Sequence, residues 1–161
     1  MKLRRAWQAV VVLAALVVVL AAIVGWEMLQ TLGADRANRA SQDAQRAARA
    51  AAQAIMSYSY RTLSADMARA RSFTTGAFRR QYESDAPKLL AIARQYQGIT
   101  RARVWASGAQ QQSGGQARVI LFVDQTTTQS SDETPRLSED RVAMVMRLVG
   151  GRWLVAGMQA L

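Results

Sequence analysis

The sequence predicts an α+β protein: an N-terminal transmembrane helix, a long second helix, and a domain in which helices pack on a curved antiparallel sheet. Three observations lead to this fold class. An uncharged apolar run opens the chain, apolar positions then recur every three or four residues up to Gly98, and after Gly98 they alternate with polar ones. Helices followed by a run of strands are typical of the α+β class.

The apolar run extends from Ala6 to Val24 and is interrupted only by Gln8. At ~1.5 Å per residue it spans roughly 28 Å, about the thickness of the hydrocarbon layer of a membrane. Trp7 and Trp26 lie near its two ends, where interfacial tryptophans are expected. We therefore predict a transmembrane signal anchor over residues 6–26.

A cleaved secretory signal is the alternative, since Lys2, Arg4 and Arg5 form the positive front end that such signals share. Signal cores are usually ~7–15 residues long, and no convincing Ala-x-Ala site precedes Trp26, so we favour the anchor. The positive charges keep residues 1–5 in the cytoplasm. The chain is thus predicted to be a single-pass protein of the bacterial plasma membrane, with its C-terminal domain in the periplasm or cell-wall space.

The net charge of +10 raises the question of a nucleic-acid partner. The predicted topology and the scattered basic residues, which have no aromatic stacking platform between them, argue against DNA or RNA. The anionic membrane surface is a better partner for these charges, and a basic surface that only aids solubility is an equally open interpretation.

The chain contains no cysteine and no histidine. These absences exclude a cysteine nucleophile, a Ser-His-Asp triad, and haem or zinc sites of the ordinary ligand types. We expect no cofactor and no metal ion.

Residues 27–57 are predicted to form a linker and an alanine- and arginine-rich helix. The alanines recur at spacings of three and four, so that they form one small-residue face. This face packs either on the protein's own sheet or on a partner's helix. We expect a mixture, in which the part from Ala51 to Tyr60 docks on the domain and the earlier part is free, with Ala44, Ala47 and Ala51 as partner contacts.

The domain is predicted over residues 58–161. Ser64 is expected to cap one helix, and Thr74 or Thr75 the next. Pro87 either opens a further helix or kinks a continuous one that ends near Gly98. The residues predicted to face the core from these helices are Phe78, Tyr82, Leu89, Ile92 and Tyr96.

Four strands follow, the last two joined by a hairpin turn at Gly150 and Gly151. The period of two predicts them over Ile99–Ala109, Ala117–Thr128, Arg136–Val149 and Arg152–Met158.

Asp124 is the first candidate for chemistry, because a half-buried carboxylate in a strand can have a raised pKa and act as a base. A general base normally works with a second group, and Asp66 is the nearest candidate. We favour a structural role for Asp124, in which it bonds backbone N–H groups or pairs with Arg101, Arg103 or Arg141.

Large aromatic side chains are the second candidate. We interpret them as core, and if the helices and the sheet enclose a cavity they would line it for an apolar, uncharged ligand. These residues are Tyr58, Tyr60, Trp105, Phe122 and Trp153.

Several segments, in this order behind an anchor, resemble the Mce-associated membrane proteins of actinobacteria. They are YSYRTLSADMARARSFTTGAFRRQY at 58–82, VILFVDQTTT at 119–128 and GGRWLVAGM at 150–158, and the match covers nearly all of residues 45–161. The chain departs from the family in two places. Many members carry an acidic residue just after the WLV segment, where this chain has Ala156-Gly157, and an aspartate where it has Ser59.

The resemblance implies a cone-shaped domain similar to nuclear transport factor two and related in shape to periplasmic domains of type IV secretion assembly factors. It also implies a non-enzymatic accessory role that stabilises an Mce complex, which imports lipids, through contacts with Mce proteins or their permease. A lipid-binding module whose cone holds an acyl chain or a sterol is the alternative. A small isomerase or hydrolase rests on fold analogy alone.

Overall fold

The computed structural model describes residues 36–112, 115–131 and 134–161. The chain divides into two compact units between Arg39 and Ala40. Of the first unit the structure describes one helical turn, residues 36–39, and the second unit extends from Ala40 to Leu161. The predicted cytoplasmic segment 1–5, the anchor 6–26 and the start of the linker lie outside the described residues. In the described part of the chain, no helix combines the length and the apolar character needed to cross a membrane.

The architecture is α+β, as the sequence predicts. Helix α1 covers residues 36–56, and strand β1, of only two residues, follows it. Two helices and four long strands complete the chain, and the five strands form one antiparallel sheet in sequential order. The elements after α1 are β1 Tyr58–Ser59, α2 Leu63–Ser72, α3 Gly76–Gln95, β2 Ile99–Gln112, β3 Gln116–Thr128, β4 Arg136–Val149 and β5 Arg152–Ala160.

The core lies between one face of the sheet and the alanines of α1. Strand β3 alternates strictly, so that Ala117, Val119, Leu121 and Val123 are fully buried on the same face. They form one cluster with side chains of β4, β5 and α1. The α1 members are Ala44, Ala48, Ala51 and Ala52, each without solvent-accessible surface. Since an alanine side chain is a single methyl group, the helix backbone can approach the sheet closely.

Polar side chains of α1, together with the side chain of Ser57 directly after it, form hydrogen bonds with the backbone of β2. Strand β1 pairs with only the first two residues of β2, so the rest of that edge has no strand partner among the described residues. Side chains spaced by multiples of four fill this edge. Ser41, Gln45 and Arg49 donate to the carbonyls of Ala109, Ser107 and Val104, and Ser57 Oγ accepts the Ala102 N–H at 2.9 Å.

The strand predictions are accurate to within three residues, whereas the helix boundaries need correction. Helix α2 begins at Leu63 with Thr62 as its N-cap, not Ser64, because the turn from Ser59 to Thr62 already directs the Thr62 carbonyl to the Asp66 N–H at 2.9 Å. Thr75 is the N-cap of α3, one of the two residues predicted. Pro87 lies inside a continuous α3, where it is exposed, so the carbonyl that loses its helical donor can bond water.

The core face predicted for α3 is partly wrong. Ala86 and Ala93 are the buried residues of this helix, whereas Leu89, Ile92 and Tyr96 are exposed. The hairpin turn is where the sequence places it, and Gly150 and Gly151 both have positive φ, 54° and 77°, which favours glycine.

Replacement of a core-facing alanine of α1 by leucine should destabilise the fold. Ala48→Leu forces three extra carbons into a closed interface and should lower the free energy of unfolding by about 1–3 kcal/mol. Ala50→Leu on the exposed side of the same helix is the control, expected within about 0.5 kcal/mol of the parent. Urea denaturation of the full chain, followed by circular dichroism, measures both. Equal losses would contradict the docking of α1 on the sheet.

Candidate functional site

Trp105 and Phe122 lie on the outer face of the sheet, opposite the core. Their ring centroids are 5.1 Å apart. Trp105 is 58% exposed and occupies a β-bulge between Val104 and Ala106, where the register with β3 shifts by one residue. An exposed tryptophan side chain that packs on a second aromatic ring is typical of a surface that another molecule covers.

The outer-face patch, as we call it, consists of Trp105, Ile120, Phe122 and Val145. Ile120 and Val145 are 39% and 40% exposed, so the described elements leave them uncovered. The pairing register places Ile120 beside Ala143 and Val145 beside Arg118. Arginines lie around the patch on the same face of β2, β3 and β4: Arg103, Arg118, Arg141 and Arg147. Exposed aromatic and aliphatic side chains bordered by arginine are typical of protein contact surfaces.

The five residues predicted to line a cone do not meet in one cavity. Trp105 and Phe122 are on the outer face, whereas Trp153 packs against the core from β5. Tyr58 and Tyr60 lie in and just after β1, beside the start of β2. The prediction fails because alternation along β3 turns Phe122 away from Leu121 and Val123, and because the bulge takes Trp105 out of the pairing register.

The alanines predicted to contact a partner contact the protein's own core instead. Ala44 and Ala51 are fully buried in the main cluster, and Ala47 is half-buried against it. Because the sheet occupies this face of α1, Ala44 and Ala51 have no free surface to offer, and Ala47 has only part of its surface free. Replacement of all three alanines by leucine would therefore disturb folding before it disturbed any contact with a partner.

Asp124 is half-buried on the outer face of β3. The register places it between Arg103 of β2 and Glu139 of β4, so one of its three predicted arginine partners is its direct neighbour. Of the threonines that follow, Thr127 shares a hydrogen bond of 3.0 Å with the buried Thr100 across the strands. This bond links β2 to β3, and none of the ion pairs found among the described residues involves Asp124, so its predicted pairing with an arginine stays a prediction.

A second candidate site, not predicted from the sequence, lies beside Asp66. We call it the Asp66 trough. One hollow of about 280 Å³ is lined by Gln53, Ala54, Ser57, Asp66, Arg69, Arg101 and Ala102. A second, of about 320 Å³, shares three of these residues with it and adds Arg61, Thr62 and neighbouring residues of β1 and β2. The shared residues, Ser57, Asp66 and Arg101, show that the two hollows are adjacent.

Hydrogen bonds fix the Asp66 carboxylate in place. Its Oδ2 accepts the Ser59 N–H at 3.0 Å and the Thr62 hydroxyl at 2.8 Å. The ion pairs found among the described residues involve other groups, namely Arg46 with Asp43, Arg71 with Glu83 and Lys88 with Asp85. Within the same part of the chain, the guanidinium groups of Arg69 and Arg101 form no ion pair, and both are exposed.

Tyr82 borders the trough on its apolar side. It lines a small hollow with Ile55, Met67, Leu89 and Asp66, among others. Burial, and to a smaller extent the negative charge of Asp66, raise the pKa of the Tyr82 phenol above its ordinary value. The neutral phenol is therefore the form that the folded protein favours.

No family model matches the chain. Two proteins of Mycobacterium tuberculosis are similar to it in sequence. An uncharacterized protein, Rv1362c, is 32% identical over 103 residues, which are 63% of this chain and 47% of that protein. An outer membrane protein, Rv1973, is 32% identical over 104 residues, which are 64% of each chain. The chain thus spans less than two thirds of the length of these relatives.

Several solved structures share the fold, and two of them are described as type IV secretion proteins. The periplasmic domain of DotI has a TM-score of 0.63 at 15% identity and covers 73% of this chain and 91% of that one. An IcmL-like protein of Legionella pneumophila has a TM-score of 0.62 at 10% identity, with 73% and 88% covered. CagV of Helicobacter pylori, a VirB8 homolog, has a TM-score of 0.57 at 13% identity, with 72% and 94% covered. At these identities the likeness shows the fold, and the predicted relation in shape to secretion-system domains is confirmed.

The raised pKa of Tyr82 should appear as a loss of stability in alkali. A phenol whose pKa is higher in the folded state contributes stability that is fully present below the unfolded pKa of about 10 and is lost as the pH rises through the folded pKa. The unfolding free energy of the Tyr82→Phe variant should therefore decline less than that of the parent above a pH of about 10. Urea denaturation across this range measures it. Tyr96→Phe, which removes an exposed hydroxyl, is the control, and equal declines in the parent and Tyr82→Phe would contradict the assignment.

Proposed function

We propose that the protein is a non-enzymatic accessory subunit that stabilises an Mce-type lipid-import complex through protein contacts outside the plasma membrane. The observation that carries this proposal is the outer-face patch, whose tryptophan is exposed although a second aromatic ring supports it. A partner that covers the patch would remove apolar surface from water, the main favourable contribution to most protein association.

The composition of the patch fits a contact of moderate strength and defined orientation. Tryptophan and arginine are the residues that most often dominate binding energy at interfaces. Trp105 would provide the apolar anchor, and Arg118 and Arg141 would orient an acidic or polar rim on the partner. The preferred partners are Mce proteins or their permease.

Two comparisons support an envelope role. The proteins with the same fold include a periplasmic domain and components of type IV secretion systems, and one relative carries the name of an outer membrane protein. The segments at 58–82, 119–128 and 150–158 support the Mce-associated family in particular. The predicted anchor over residues 6–26 would hold the domain at the outer surface of the plasma membrane.

A lipid held inside the cone is the weaker alternative. The core face of the sheet is packed against the alanines of α1, at the place where an acyl chain or a sterol would lie. Absence of catalysis is likewise a proposal, and it is supported by the resemblance to the Mce-associated family, which implies a non-enzymatic role. Both considerations favour a role based on contact surfaces.

Disruption of the outer-face patch should release the partner without unfolding the protein. Full-length tagged protein is purified from its native membranes in mild detergent, and co-purifying proteins are identified by mass spectrometry. We expect Mce proteins or their permease with the parent, and a loss of tenfold or more with Trp105→Asp, since central interface residues are worth ~2 kcal/mol or more.

Ile92→Asp is the matched control, because Ile92 is 55% exposed and lies on α3. It should retain the partner. Equal recovery of Mce proteins with Trp105→Asp would contradict the role of the patch. Recovery of the parent alone, from membranes in which the Mce complex is abundant and intact, would contradict the accessory function.

A further inference from the structure

The Asp66 trough joins a cationic side to an apolar side. Its cationic side carries Arg69 and Arg101, with Arg61 at the adjoining hollow. On the other side of Asp66 lies the small hollow lined by apolar groups of Ile55, Met67, Leu89 and Leu90. Asp66 and Ser57 line all three hollows, so these two residues lie where the cationic and the apolar sides meet.

The charge of the trough favours an anion. Three arginines face one carboxylate, and two donors already hold that carboxylate. Neither Arg69 nor Arg101 forms an ion pair within the described ranges. A guanidinium group offers a planar pair of donors that matches a carboxylate or a phosphate, so both residues can bind an anionic group without breaking an existing ion pair.

The apolar side continues over the surface of α3. The hollow beside Asp66 holds only about 20 Å³, about the space of one water molecule or one methylene group, so a longer chain would lie on the surface beyond it. Leu89 lines this hollow and is itself exposed, and Ile92 and Tyr96 follow it at spacings of three and four on the same helix face. An apolar track therefore leads from the trough along the C-terminal half of α3.

We propose that the Asp66 trough binds the anionic head group of a single-chain amphiphile. The head group lies between Arg69 and Arg101, and the hydrocarbon chain passes Leu89 and covers Ile92 and Tyr96. Charge complementarity places the head group in the trough. Because the exposed apolar face of α3 begins at the trough, the hydrocarbon chain lies on that face. This site goes beyond the proposed accessory function, because it uses none of the residues of the outer-face patch.

Protection of individual arginines against phenylglyoxal tests the site in the full-length chain, held in nanodiscs of zwitterionic lipid. The probes are octanoate, acetate and octanol at equal concentration, and mass spectrometry gives the modification rate of each arginine. Octanoate at about four times its dissociation constant should slow modification of Arg69 and Arg101 about fivefold. Arg80, which is exposed on α3 outside the trough, is the internal control and should change little.

Acetate has the charge without the chain, and octanol has the chain without the charge, so neither should protect. Leu89→Gln should abolish the protection by octanoate, whereas Leu137→Gln, at another exposed leucine, should retain it. Equal protection by acetate or octanol, equal protection of Arg80, or full protection in Leu89→Gln would overturn the proposal.

The two proposals fail separately. Trp105→Asp should retain the protection by octanoate, because Trp105 does not line the trough. Leu89→Gln should retain the partners recovered from membranes, because Leu89 is not part of the outer-face patch. Loss of both properties in either variant would mean that one surface serves both roles, and it would contradict the separation proposed here.

Discussion

The close approach of α1 to the sheet is the interaction on which the rest of the structure depends. Four buried alanines allow it, because a larger side chain at these positions would hold the helix away from the strands. Only at this distance can Ser41, Gln45 and Arg49 reach the carbonyls of β2. The edge of β2 needs these donors, since β1 pairs with just its first two residues. The small residues of α1 therefore compensate for the short first strand, because they let side chains of the helix bond the edge of β2 that β1 leaves unpaired.

This arrangement decides which surfaces remain for function. Helix α1 occupies both the core face of the sheet and the edge of β2, so neither is available to a partner or to a ligand inside the fold. The outer face stays uncovered, and an apolar patch around Trp105 lies on it. At the junction of α1, α2 and β2 the packing is incomplete, and the Asp66 trough occupies that junction. The two proposed surfaces thus follow from how the core is closed.

The sequence predicts the sheet better than the sites because a strand pattern is local and a site is not. Alternation along β3 and the Gly150-Gly151 turn carry enough information to define strands and pairing. The alanine face of α1 was ambiguous, because methyl groups suit a partner's helix and the protein's own sheet equally well. The sequence predicts Trp105 in the core, which is wrong, because no neighbouring residue indicates the bulge that places it on the outer face. The trough combines Ser57 and Asp66 with Arg101, which lies far along the chain, and the sequence indicates Asp66 only as a candidate second group for Asp124.

The two departures from the Mce-associated pattern fall on the two proposed surfaces. The backbone N–H of Ser59 bonds Asp66, so an aspartate at this position would add a second carboxylate beside the trough and weaken its attraction for anions. Gly157 lies opposite Val145, and a Cβ at Gly157 would meet Val145 at 3.8 Å, so an acidic side chain there would place its charge next to the outer-face patch. Both changes leave this chain with less negative charge than the family pattern at the place where we infer a contact. If acids at these two positions serve partner recognition in the Mce-associated proteins, this chain is expected to prefer a more acidic partner and a more strongly anionic ligand than those proteins.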